Sequence, residues 1–125
     1  MIEVEEVDWD TYAKSFSIFN VKKIFFGKHS KALSSEHWAA LYHHEKFHCD
    51  NNHLEWRILC FMFAPWMLKS LCYRQEFDSD IYSAKMGYGK QLIEFLSNKP
   101  TISSWRYPSA SERIQRLTVY IEQYT

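Results

Sequence analysis

Five residues near the middle of the chain, His44-Glu45-Lys46-Phe47-His48, place two imidazoles four positions apart with a carboxylate beside the first. On a helix, residues four apart share one face. His44 and His48 can then present two nitrogens to one metal ion. Glu45, one position on, sits at the edge of that face, within reach of a water held there and able to take its proton. Zinc in such a place acidifies the water and polarises a carbonyl. Two histidines on one helix also arise without any metal, and this chain has six in all. The motif needs a third ligand.

A downstream stretch supplies one. In "YRQEFDSDIYSAKMG", Glu76 and Asp80 are again four apart. Glu76 can complete the ligand set, and Asp80 can accept the second ring N–H of a ligating histidine and fix its orientation. By itself this stretch would read as a solvated acidic turn; the upstream histidines change that reading. The glycine and third histidine that metzincins carry after the motif are absent, since Asn51 and Leu54 stand there. A glutamate followed four residues on by an aspartate is the gluzincin pattern.

These residues need elements to hold them. Ser34 or Ser35 is a suitable N-cap for a helix running through the motif, with Trp38, Leu41, Tyr42 and Glu45 at helical spacing. "NNHLEWRILCFMFA" predicts a second helix, ended or kinked near Pro65. A third runs from about Trp66 to Lys85 and stops at Gly87 and Gly89. "KQLIEFLSNK" predicts a fourth, ended at Pro100. "TISSWRYP" reads as a loop, and "SASERIQRLTVYIEQY" as a terminal helix with Ile114, Leu117 and Ile121 on one face. Before all of these, "SFSIFNVKKIFFGKH" alternates like one or two strands closed by Gly27. Residues 1–15 read as irregular or as a short helix. The expected fold is mostly helical α+β, with a small antiparallel sheet near the N-terminus, over a single domain spanning residues 1–125.

Bulk properties narrow the function. The 125 residues fit one domain, and 46% of them are hydrophobic, enough for a core. Formal net charge is zero, so no long-range field steers the chain to nucleic acid or to anionic lipid, and no nucleic-acid partner is expected. The N-terminus is acidic and does not read as a signal peptide. "ILCFMFAPWML" is too short to span a bilayer, so no transmembrane segment is expected. Three cysteines without C-x-x-C spacing suggest reduced thiols and a cytoplasmic setting. Trp56, Phe61, Phe63 and Trp66 are expected in the core, with peripheral membrane contact as the alternative.

The chain resembles a family at this point. "KIFFGKHSKALSSEHWAALYHHEKFH" is similar to the strand, loop and active helix of HtpX-like and CAAX-prenyl-protease-like metallopeptidases, and His53 matches a histidine often found there. "EFDSDIYSAKMG" resembles their E-x-x-A-D-x-x-A segment, with Ser79 for alanine. "YPSASERIQRL" resembles their H-P-x-x-x-x-R-I-x-x-L segment, with Tyr107 for histidine and Pro108, Arg113, Ile114 and Leu117 in register. The middle of the chain is also similar to the peptidase domains of beta-lactam-sensor proteins. Both families carry transmembrane helices, so the nearest type is the minigluzincins, small versions of the same zincin-like core.

The resemblance implies a zinc endopeptidase acting on peptides or unfolded protein. One catalytic Zn2+ would rest on His44, His48 and Glu76, with Glu45 as general base and Asp80 behind a ligand. It also implies a substrate lying antiparallel to an edge strand, which we place at Lys22–Gly27 and so at Lys23, Ile24, Phe25 and Phe26. Tyr107, Tyr82, His43 and Arg113 are candidates for stabilising the oxyanion; Arg113 has a structural alternative, pairing with Asp80 or Asp78. Minigluzincins tend to be latent, so a terminus in the cleft is a further expectation. The competing reading is a catalytically silent zinc-binding interaction module. A repressor-cleaving peptidase of the ImmA type fits less well, because that group usually has Asn where Asp80 stands and lacks the Y-P…R-I segment.

Overall fold

The computed structural model describes residues 1–98, 104 and 106–124. The sheet is built from β1 (Ile2–Glu6), β2 (Ala13–Ile18) and β3 (Val21–Phe26). β2 and β3 form a hairpin, paired antiparallel from Ala13 opposite Phe26 to Ile18 opposite Val21. Its tight turn holds Phe19 at φ 55°. β1 pairs parallel to β3, with Ile2 opposite Lys22 and Glu6 opposite Phe26. The sheet is therefore mixed rather than antiparallel, in the order β1-β3-β2. β1 is legible only afterwards. Four of its five residues are exposed, so it lacks the apolar alternation that marks a strand. It is held by its ladder to β3, with Lys23 also reaching Glu3 and Glu5 at 3.8 and 3.6 Å. Such acidic edges also discourage pairing with other chains.

Period two sorts β3 cleanly. Ile24 and Phe26 point into the core and are fully buried, while Phe25 faces away and packs on Trp9. Trp38 stacks on Phe26, and Tyr42 on Trp38, with ring centroids 4.4 and 5.6 Å apart. These residues bring helix α1 (Ser35–Asp50) onto the sheet. Ser34 caps it, accepting from the His37 N–H. Helices α2 (His53–Phe63), α3 (Leu68–Ser83), α4 (Gly89–Asn98) and α5 (Ala110–Tyr124) follow. Leu41, Cys49, Leu92, Leu96 and Leu117 complete the core between them. The mostly helical α+β expectation holds. The predicted stop at Gly87 is a local kink, at φ +98°, between α3 and α4. The predicted helix end at Pro100 and most of the "TISSWRYP" loop lie outside the described residues.

Two further expectations fail here, besides the antiparallel sheet and the irregular or helical reading of residues 1–15, where β1 lies. The strand assigned to substrate, Lys23 to Phe26, is the central strand, hydrogen-bonded on both sides; the edge nearest the helices is β2. And Trp56, Phe61, Phe63 and Trp66 are not core residues, since all four are exposed. Only Arg57, Cys60 and Ala64 on that stretch turn partly inward. Among the described residues no helix is long and apolar enough to cross a membrane.

Candidate metal centre

α1 and α3 pack closely because small side chains line their contact. Ala40, Ser79 and Ser83 are fully buried, and the Ser83 hydroxyl donates to the Ala40 carbonyl at 2.8 Å. That approach brings the two sequence motifs face to face. His44 Nε2 and His48 Nε2 lie 3.2 Å apart. Glu76 reaches both, with Oε1 at 3.1 Å from His44 Nε2 and Oε2 at 3.0 Å from His48 Nε2. All three side chains are buried.

The triangle fits a metal ion. Ligand atoms bonded at about 2.0–2.1 Å in a tetrahedral site stand roughly 3.3 Å from one another, close to the separations found, the two to Glu76 ending on its two different oxygens. Two imidazoles and a carboxylate are also a donor set suited to zinc. Glu45 forms a second possible set with the same histidines: ligand atoms of His44, Glu45 and His48 all lie within 4.8 Å of one another and could hold a metal ion. Of the two carboxylates, Glu76 has ligand-to-ligand spacing to both imidazoles, and Glu45 stands beside them, partly open to the cleft.

The surrounding groups set the charges. Burial alone would lower the His44 pKa, but Asp80 and Glu76 outweigh it and raise it to about 10. Nδ1 of His44 approaches Asp80 Oδ1 to 2.7 Å, close but poorly aligned for a hydrogen bond. Burial would raise the Glu76 carboxyl; the two histidines, His48 foremost, hold it well below its ordinary value. Asp80 is likewise pushed up by burial and brought below its usual range by Arg113 and then His44. Arg113 grips Asp80 with two bonds, Nε to Oδ2 at 2.8 Å and Nη2 to Oδ1 at 2.7 Å. Glu45 is raised above the usual carboxylate range, chiefly by burial. A raised carboxyl suits a general base working near neutral pH.

His48 has its own supports. Its Nδ1 lies 2.7 Å from Nδ1 of His53 and 3.3 Å from the Ser79 hydroxyl. Burial and then the neighbouring charges of His48 and Arg57 push His53 down to about 3, so its ring is neutral and can accept. With Nδ1 turned to His53 and Ser79, the Nε2 edge of His48 faces His44 and Glu76.

The sequence reading missed Arg57, whose Nη2 donates to Glu76 Oε2 at 2.9 Å while Nε donates to Gln75. Its signal was present: Arg57 is the one charge in an otherwise apolar run from Trp56 to Leu68.

A cleft of about 460 Å³ opens over the triangle. Residues 11–15, at and before the start of β2, line one side; Arg57, Tyr107 and Arg113 line others. Tyr107 is therefore at the cleft, whereas His43 and Tyr82 are not among its lining residues. His43 stacks on Tyr88 instead. Cys49 turns toward the sheet, its Sγ near the Lys23 and Phe16 carbonyls. The lining residues include none of β1 and, of α5, only Arg113. No protein-family model, curated protein or solved structure matches the chain, so the reading of the site rests on its own residues.

Proposed function

We propose that the protein is a zinc-dependent endopeptidase with a zincin-like, gluzincin-type site. The observation that carries this reading is the buried triangle of His44, His48 and Glu76, with sides of 3.0–3.2 Å and Glu45 beside it. When bound there, zinc supplies Lewis acidity for a water and a substrate carbonyl. The chain's own residues do the rest. Glu45 takes a proton from the attacking water and returns it to the leaving amine. His53 and Ser79 hold the His48 ring, and Arg57 holds Glu76. β2, the edge strand beside the cleft, offers backbone groups to an extended peptide, the role first assigned to Lys23–Phe26. Tyr107, at the cleft, is the group we assign to the carbonyl oxygen. Arg113 has a structural role, because its guanidinium is committed to Asp80.

One feature favours a second reading, a binding module without turnover: His44, Glu76, Arg57, Asp80 and Arg113 already form a closed network of opposite charges. The test is hydrolysis of an unfolded protein by the zinc-loaded chain beside Glu45→Gln. We expect cleavage by the parent, a loss of at least about 100-fold in the variant, and one equivalent of zinc in both. Stoichiometric zinc with no hydrolysis by the parent would favour the binding module. Absence of zinc from the parent would remove both readings.

A further inference from the structure

From Trp56 to Gln75 there is no acidic residue. The first part of that stretch, the end of α2 and the turn after it, exposes Trp56, Ile58, Leu59, Phe61, Met62, Phe63, Trp66 and Met67. Phe63 is 72% exposed and Trp66 78%. Contiguous apolar surface of this kind marks a contact site. Its shape narrows the partner. At 100° per residue, the exposed side chains of α2 from Trp56 to Phe63 sweep an arc of about 220°. The inward arc holds Arg57 and Cys60. A folded partner with a flat face would leave both flanks of such a ridge wet, whereas a fluid apolar medium closes around it.

Charge points the same way. Lys69, exposed two residues past Met67 at the start of α3, is the charge next to the ridge, and no carboxylate stands between Trp56 and Gln75. A second copy docked face to face would bring Lys69 toward its own counterpart; an anionic lipid surface would attract it. Tryptophan at both ends of the ridge, Trp56 and Trp66, suits the headgroup boundary, where an indole buries its ring and keeps its N–H wet.

We propose that the α2 ridge, from Trp56 to Met67, seats the protein on the surface of an anionic bilayer. The ridge enters the boundary between headgroups and acyl chains, while Arg57 on the opposite side of the same helix stays on Glu76. The seating does not depend on whether the metal centre turns over substrate.

Flotation of the full chain with vesicles tests this, using phosphatidylcholine alone and mixed with phosphatidylserine. The chain is expected to float with the mixed vesicles, with a blue-shifted tryptophan emission, and more weakly with phosphatidylcholine alone. Lys69→Ala should weaken binding to the mixed vesicles about fivefold. Replacing Phe61, Phe63 and Trp66 together by serine should abolish flotation while leaving the far-ultraviolet circular dichroism unchanged, since all three side chains are exposed. Flotation that survives the triple replacement would overturn the proposal. So would failure of the parent to float with either vesicle; if sedimentation then shows a dimer that the triple replacement dissociates, the occupant of the ridge is a second copy.

Discussion

His44 sits between two carboxylates, and that fixes its charge in the metal-free chain. With a pKa raised to about 10, it is an imidazolium at neutral pH. A group raised on folding contributes stability below its ordinary value of 6.5, and that contribution is lost as pH climbs through the raised value. Glu76 and Asp80, both lowered, act oppositely, losing their contribution only as pH falls through their depressed values. With chelator present, the melting temperature is therefore expected to fall from pH 6.5 toward 10. A flat or rising profile would contradict the charge placed on His44. At the same scale, Arg113→Met would leave Asp80 buried and short of its main partner. Removing one member of a buried pair costs about 3–5 kcal/mol, which urea denaturation would read as a lower midpoint with an unchanged slope. A loss below about 1 kcal/mol would mean that Asp80 is satisfied by His44 alone.

The strands reach the site through a close backbone crossing. The segment before β2 passes over Gly27, which donates to the Tyr12 carbonyl at 3.0 Å. A Cβ on Gly27 would stand 2.3 Å from the Thr11 carbonyl oxygen and 2.7 Å from that of Trp9. Both atoms are backbone, so relief requires moving the segment that leads into β2. Gly27→Ala is expected to cost about 1–3 kcal/mol and, because residues 11–15 line the cleft, to weaken peptide hydrolysis as well. Unchanged stability on thermal denaturation would show that the crossing is slack.

For the molecule as a whole, the candidate metal centre joins α1 to α3, and its supports reach α2 through Arg57 and α5 through Arg113. A ligand that binds only the folded chain stabilises all of it. Zinc at about 100 times its dissociation constant should add roughly 2.7 kcal/mol, seen by calorimetry as a higher melting temperature that chelator reverses. Glu45→Gln should keep this stabilisation, because the proposed ligands are His44, His48 and Glu76. Glu76→Ala should lose it. Stabilisation that survives Glu76→Ala would move the third ligand elsewhere, with Glu45 the nearest carboxylate.

Spacing of four residues on a helix is a local geometric constraint, so the pairing of His44 with His48 and of Glu76 with Asp80 was legible in the chain. So were the helices, from their caps and periodicity, and the presence of one or two strands before them, from alternation; that they form a hairpin turning at Phe19 was not. That Arg113 pairs with Asp80 rather than Asp78 was not, because both acids lie on α3 and only the placement of α5 chooses between them. β1 was missed because an acidic edge strand carries little apolar pattern, and without β1 the strand β3 looked like an edge. The aromatic run from Trp56 to Trp66 looked like core because hydrophobicity records a preference for leaving water and not where that preference is met. Residue types and spacing determined which groups could share a metal. The tertiary structure decided which of them meet, which strand borders the cleft, and which apolar face remains uncovered, because these depend on contacts between segments far apart in the chain.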